Sequence, residues 1–181
     1  EIENAFFMHS AQGHWVMRAH GTPGYVESQP DYLLAWDADG RLQAINSLAR
    51  TVPLNWLGNI DTSSVGGHDS LDLKLQGTAI FVDVARLYAL AHGITATGTR
   101  ERFEAIGPLL GVPTHEREAW VGGFEYLQML RLHGQLDGTT VGDNPNRIAV
   151  DTLNDIDRRI LKESLRVMRS LQQRLRLDYE R

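Results

Sequence analysis

Residues 71–94, LDLKLQGTAIFVDVARLYALAHGI, decide how this chain folds. From Thr78 to His92 the stretch reads as a helix that is apolar almost all the way round, and such a helix has to be surrounded by other elements. At about 100° per residue, Ile80, Val84, Leu87, Tyr88 and Ala91 share one face, while Val82, Ala89 and Leu90 cover much of the other. Asp83 and Arg86 stand among them, three positions apart and within reach of each other, and Lys74 lies just before the helix. Burying either charge alone is very costly, so pairing is expected.

Downstream the pattern stays helical. With a first helix at 77–92, the spacing predicts further helices over 99–110, 114–136 and 153–178, with Thr99, Thr114 and Thr152 as N-caps and Gly93, Gly111 and Gly134 or Gly138 as stops. The segments GNIDTSSVGGHDS (58–70) and DGTTVGDNPNRIAVD (137–151) read as loops. In the third helix Trp120, Phe124 and Leu127 define an apolar stripe, and Arg131 falls in its middle. A guanidinium there needs an acid, a carbonyl or an anionic ligand. Two readings stand side by side. Asp83, Arg86 and Arg131 form a structural ion-pair network, or Lys74, Arg86 and Arg131 converge on an anionic ligand such as a phosphate. The last helix is the clearest amphipath, with Ile156, Ile160, Val167, Leu171 and Leu175 expected inward. Opposite them Arg158, Lys162, Arg166 and Arg169 form a basic stripe, either a solvated face or a surface for an acidic partner. No aromatic residues interleave with it, which argues against single-stranded nucleic acid.

Upstream of about residue 52 the texture changes to short apolar runs punctuated by Gly and Pro. HWVMRAH (14–20) and YLLAWDADGRLQAIN (32–46) read as strands, and Asp39-Gly40 between apolar flanks signals a hairpin. NSLAR (46–50) is a candidate helix start capped by Asn46 or Ser47. The fold class expected is mainly α: a bundle of four to five helices with a small N-terminal β-hairpin region. The change of texture is expected to divide the chain into an N-terminal fragment at 1–52 and a helical domain at 53–181.

The 181 residues are 42% hydrophobic, enough for a packed core. A net charge of -5 and a pI of about 5.8 argue against a molecule-wide phosphate-tracking surface. The absence of cysteine excludes disulfide and Cys-based metal or redox sites. No apolar run approaches the ~18 residues of a membrane span, and no secretory signal pattern opens the chain, so a cytoplasmic setting is expected. DAD at 37–39 and DID at 155–157 resemble Mg2+-holding carboxylate pairs, but the first lies in a turn and the second at a helix start, where acids are favoured anyway. The seven histidines lack metalloprotease spacing, and no catalytic constellation or metal site assembles from residue chemistry.

Several stretches, in order, carry a family resemblance: PLNWLGNIDT, LDLKLQGTAIFVDVARLYALAHGI, TRERFEAI, FEYLQMLRLHGQL and LNDIDRRILKESLRVMRSLQQRL. Over about 53–181 the chain resembles the nucleotidyltransferase substrate-binding domain. That domain lies C-terminal to a nucleotidyltransferase-like domain in bacterial signalling proteins that also carry CBS pairs and often a cyclic-nucleotide-binding domain. The resemblance implies a non-catalytic helical module that helps form a nucleotide or acceptor site. It implies that Mg2+ and a nucleoside triphosphate are needed only with the separate catalytic domain, so this chain is not expected to be an active enzyme alone. The positions matching the family's polar signature are Asp72, Lys74, Asp83, Arg86 and Arg131. IENAFF, GHWVMRAHGTPGY and DYLLAWDADGRLQAINSLAR resemble instead the GAF/PAS junction of acetoin-catabolism-regulator-type transcription activators. The partners implied are a nucleotidyltransferase-like domain or a regulatory protein, with self-association also compatible. The alternatives are a sensor fragment of a transcription regulator and a purely structural interaction bundle.

Overall fold

The computed structural model describes residues 50–178 in full and, beyond them, the backbone of four short strands and of Tyr179. Among the described residues four α-helices make up most of the fold: α1 (Ala79–Ala91), α2 (Thr99–Leu109), α3 (Thr114–Leu136) and α4 (Asp155–Tyr179). A single π-helical turn, Lys74–Thr78, leads into α1. As its composition demands, α1 is enclosed on several sides: Ile80, Phe81, Val84, Ala85, Leu87, Tyr88 and Ala89 are all buried. It packs on α2 and α4, while α3 packs on α2, on α4 and on the π turn. No helix among the described residues is long and apolar enough to cross a membrane.

The core is knit by aromatic rings. Phe81 of α1 meets Phe103 of α2 edge-on at 6.2 Å between centroids, and Phe103 meets Trp120 of α3 at 5.6 Å. Such tilted and edge-on pairs place the positive ring edge on a negative face. Gly123 lets α3 close on this cluster, since a Cβ there would stand 3.2 Å from Phe81 Cζ and 3.7 Å from the Ser164 backbone of α4.

On α4 the inward face is as expected at Leu171 and Leu175 and departs from expectation at Ile156 and Ile160. Leu161, Leu165, Met168, Leu171 and Leu175 are buried, whereas Ile156 is 72% and Ile160 40% exposed. Positions 161, 165, 168, 172 and 175 repeat at alternating steps of four and three, the spacing that keeps one stripe against a neighbour. Ile160 stands one position off it, about 100° round the helix.

The segments read as loops contain strands. β5 (Ser63–Val65), β6 (His68–Asp72) and β7 (Arg147–Ala149) form an antiparallel sheet in the order β5-β6-β7. Gly66 and Gly67, at φ +61° and +84°, supply the two-residue turn between β5 and β6 that only glycine-like residues tolerate. N-terminally, β1 (Ala5–His9), β2 (Trp15–Ala19), β3 (Leu34–Trp36) and β4 (Leu42–Ala44) form a second antiparallel sheet in chain order. Trp36 pairs with Leu42 on either side of the expected Asp39-Gly40 turn, which itself lies outside the described residues, and β1 and β2 extend the sheet. The helix expected at 46–50 falls outside the described residues except for Arg50.

Helix starts also depart from expectation. Thr99 and Thr114 are first helical residues, with Gly98 and Pro113 at the caps and no side-chain capping bond. For α4 the cap is Asn154, not Thr152. The Asp157 N–H donates to Asn154 Oδ1 at 2.9 Å, and Asn154 Nδ2 returns a bond to Asp157 Oδ2 at 2.6 Å. Thr152 donates instead to the Ala149 carbonyl at 2.9 Å, closing the end of β7. Asn154→Ala is expected to lower stability by about 1 kcal/mol, measured by urea unfolding with an unchanged m-value.

Candidate anion-binding site

Asp72, at the end of β6 and only 4% exposed, organises the entry to α1. Its Oδ1 accepts the N–H groups of Lys74 and Leu75, both at 2.9 Å. Its Oδ2 accepts Asn144 Nδ2 at 2.7 Å, and its own N–H donates to Gln76 Oε1 at 3.2 Å. One carboxylate thus satisfies two of the N–H groups that a helix start leaves without partners and ties them to the loop before β7. The π turn closes when the Thr78 N–H reaches the Leu73 carbonyl at 2.9 Å. Gly77 allows α3 to lie against it, for a Cβ at that position would come within 3.3 Å of Leu127.

Arg131 reaches this turn from α3, as its place on the apolar stripe implies. It is half-buried, and its Nη1 donates to Thr78 Oγ1 across a long 3.4 Å. Among the described residues no carboxylate lies within ion-pair distance of it. Lys74 begins the same turn with its side chain exposed. One turn before Arg131 on α3, the Gln128 side-chain oxygen is buried without a hydrogen bond. The structure thus sets a half-buried guanidinium against the Thr78 hydroxyl, on the turn whose first residue, Lys74, is exposed.

Asp83 and Arg86 sit elsewhere. Asp83 lies between two guanidinium groups, 3.7 Å from Arg50 Nε and 4.0 Å from Arg86 Nη1. Arg86 is eight residues beyond Thr78, about 12 Å further along α1. The structure thus joins Asp83 to Arg86 and Arg131 to the turn that Lys74 begins. Near Arg86 stands Arg102, whose guanidinium is pushed below its usual range first by burial and then by the Arg86 charge; its Nε donates to the Ala96 carbonyl at 2.8 Å.

The basic stripe of α4 is largely engaged by the chain itself. Arg169 donates to the carbonyls of Leu54 and Asn55, Lys162 to Asn59 Oδ1 at 2.8 Å, and Arg158 to the carbonyls of Asp151 and Leu153 at 3.0 and 3.3 Å. Arg166 faces outward more freely, beside Glu163 at 2.5 Å. Arg169 and Lys162 seat the 54–59 turn on α4. Sequence reading missed Thr78, Asn144 and Gln76 as members of the Asp72 corner. The available signal was Asp72 itself, an N-cap residue type directly ahead of the apolar run.

Tyr126 locks α3 to the start of α4. Its hydroxyl donates to the Asp157 carbonyl at 2.8 Å and lies 3.2 Å from the Asp157 carboxylate. Burial first, and Asp157 second, push this phenol well above its ordinary value of 10.0. A raised folded-state pKa contributes stability that is present below pH 10 and lost as pH rises beyond it. Tyr126→Phe is expected to cost about 1 kcal/mol at neutral pH and to flatten the alkaline loss, as read from melting curves across pH.

Residues 41–179 match the family described as "Putative nucleotidyltransferase substrate binding domain", and the chain belongs to that family. The match begins just before β4 and takes in the whole helical part, including the Asp72 corner. The chain is also similar to the acetoin catabolism regulatory protein of Cupriavidus necator, at 30% identity over 105 residues. Those residues are 58% of this chain and 14% of that protein, so this chain spans only a small part of the relative's length. No solved structure matches.

Proposed function

We propose that the chain is the non-catalytic substrate-binding module of a bacterial nucleotidyltransferase-type signalling protein in the cytoplasm, and that the corner formed by Lys74, Thr78 and Arg131 receives an anionic group of the nucleotide or acceptor. The observation that carries this reading is Arg131: a half-buried cation with a hydroxyl, and no carboxylate among the described residues, to answer its charge. Leaving a guanidinium so placed is costly in a purely structural bundle and useful in a module that meets an oxyanion. The Asp83–Arg86 pair lies mid-way along α1, apart from the corner, where Asp83 also meets Arg50. Among the described residues no group of three His, Cys, Asp or Glu side chains is arranged to hold a metal. In the reading the family resemblance implies, carboxylates of a companion nucleotidyltransferase-like domain hold the Mg2+ that accompanies a nucleoside triphosphate, and this module supplies binding and orientation.

Thermal unfolding with a nucleoside triphosphate and Mg2+ tests the reading. A ligand at a hundredfold excess over its Kd stabilises the folded state by about 2.7 kcal/mol, which for a chain of this size raises Tm by roughly 5–10 °C. Arg131→Glu is expected to cut that rise by about half or more while leaving the ligand-free Tm within a few degrees. An equal rise in both proteins sinks the proposal.

A further inference from the structure

Trp56 and Leu57 are 90% and 61% exposed, yet the turn that carries them is pinned. The Asn55 N–H donates to the Asn59 carbonyl at 2.8 Å, the Gly58 N–H to the Asn55 carbonyl at 3.0 Å, and the Asn59 N–H to Asn55 Oδ1 at 3.0 Å. Gly58 makes the reversal at φ +74°, and Lys162 and Arg169 clamp the turn to α4 as described. An indole held outward on a rigid turn forgoes burial that would favour it by a few kcal/mol, the mark of a surface meant to be covered. Lys162 stands at its base, and so does Arg166, which is paired with Glu163 of its own helix.

A complementary feature lies elsewhere on the molecule. Between α2 and α3 runs an open cleft of about 460 Å³, a volume in the range that holds small molecules and ample for an indole. Val121 and Gly122 are among its lining, and a Cβ on Gly122 would meet nothing within 4 Å, so the cleft is open there. Glu104, Glu118 and Glu125 also line it, with Arg100 and Arg117, so its carboxylates outnumber its cations by one. Arg100 is held by both Glu104 and Glu125, at 2.9 and 2.7 Å, presenting a fixed guanidinium against which an aromatic face can stack. Glu118 is exposed and, among the described residues, in no ion pair, which leaves it available to a cation such as Arg166.

We infer that the Trp56–Leu57 tip of one molecule inserts into the α2–α3 cleft of a second copy, with Arg166 facing Glu118. The two surfaces differ, so the contact is head-to-tail and heterologous. It is independent of the anion-binding corner.

Sedimentation velocity of the full chain over a concentration series tests it. The wild type is expected to self-associate, and Trp56→Ala and Glu118→Arg each to weaken association roughly tenfold or more, as loss of a central aromatic or a charge reversal does. Both sites are solvent-exposed, so folding is retained; Trp56→Gln serves as a second tip variant and circular dichroism checks each protein. Mixing is decisive. Trp56→Ala keeps its cleft and Glu118→Arg keeps its tip, so the mixture regains one interface and stops at a heterodimer. A wild type that stays monomeric, a Trp56→Ala protein that associates like wild type, or a mixture that stays monomeric overturns the inference.

Discussion

Trp120→Ala lowers the free energy of unfolding by about 3–5 kcal/mol, the largest stability loss expected from a single substitution in this chain. Trp120 is among the largest fully buried side chains, and it stacks on Phe103, which in turn meets Phe81. Removing the indole subtracts apolar burial, leaves a cavity beside Phe103 where α3 meets α2, and removes the ring contact between those two helices. Against a typical total of about 5–15 kcal/mol, a loss of this size leaves the protein marginal or unfolded. Guanidinium unfolding followed by circular dichroism reads it directly. Trp120→Phe is expected to recover part of the loss, because it keeps a ring against Phe103 while leaving a smaller void.

Asp72→Ala is the second large effect, expected at about 3 kcal/mol. The substitution leaves two backbone N–H groups at the π turn and the Asn144 amide without their acceptor. Bonds to a carboxylate contribute about 1.5–3 kcal/mol each, and groups sharing one acceptor are not additive, so the loss falls below their sum. Asp72→Asn separates charge from geometry: one amide oxygen can still cap Lys74 and Leu75, whereas the Asn144 amide loses its acceptor. The asparagine variant is expected to lose less than half of what the alanine variant loses. Because Asp72 sets the turn that presents Lys74 and Thr78, the alanine variant is also expected to weaken any ligand that Arg131 helps to hold.

The helices were legible because their apolar spacing is strong and long. The segment 114–136 reads as a helix from sequence and is one in the structure, with the same ends. Gly93, Gly111 and Gly138, all at positive φ, stop the chain where a left-handed residue is required. The short strands were not legible: β5 and β7 are three residues long, and Ser63-Ser64-Val65 shows no alternation to read. They exist because β6 pairs with both, a long-range cause that no local pattern carries. The burial of Ile156 and Ile160 was misjudged for a related reason, since which flank of an amphipathic helix lies inward is decided by the neighbour it meets.

At the candidate site, Arg131 was singled out by its place on an apolar stripe, and the structure finds it half-buried with Thr78 as partner. That partner lies 53 positions away and had no sequence signal. The α4 stripe shows the opposite case: its cations read as a free surface, yet Arg169 binds carbonyls 114 and 115 residues away. Charge patterns reveal which residues are cations; only the fold reveals which carbonyl or carboxylate answers them.

Calorimetric titration of a nucleoside triphosphate with Mg2+ into the wild-type chain and into Arg131→Glu measures the anion-binding corner most directly. Saturable one-to-one heat with the wild type, weakened at least about tenfold in the variant, is the result expected if Arg131 meets the ligand's oxyanion. Equal affinity in the two proteins, or no binding by either, contradicts it.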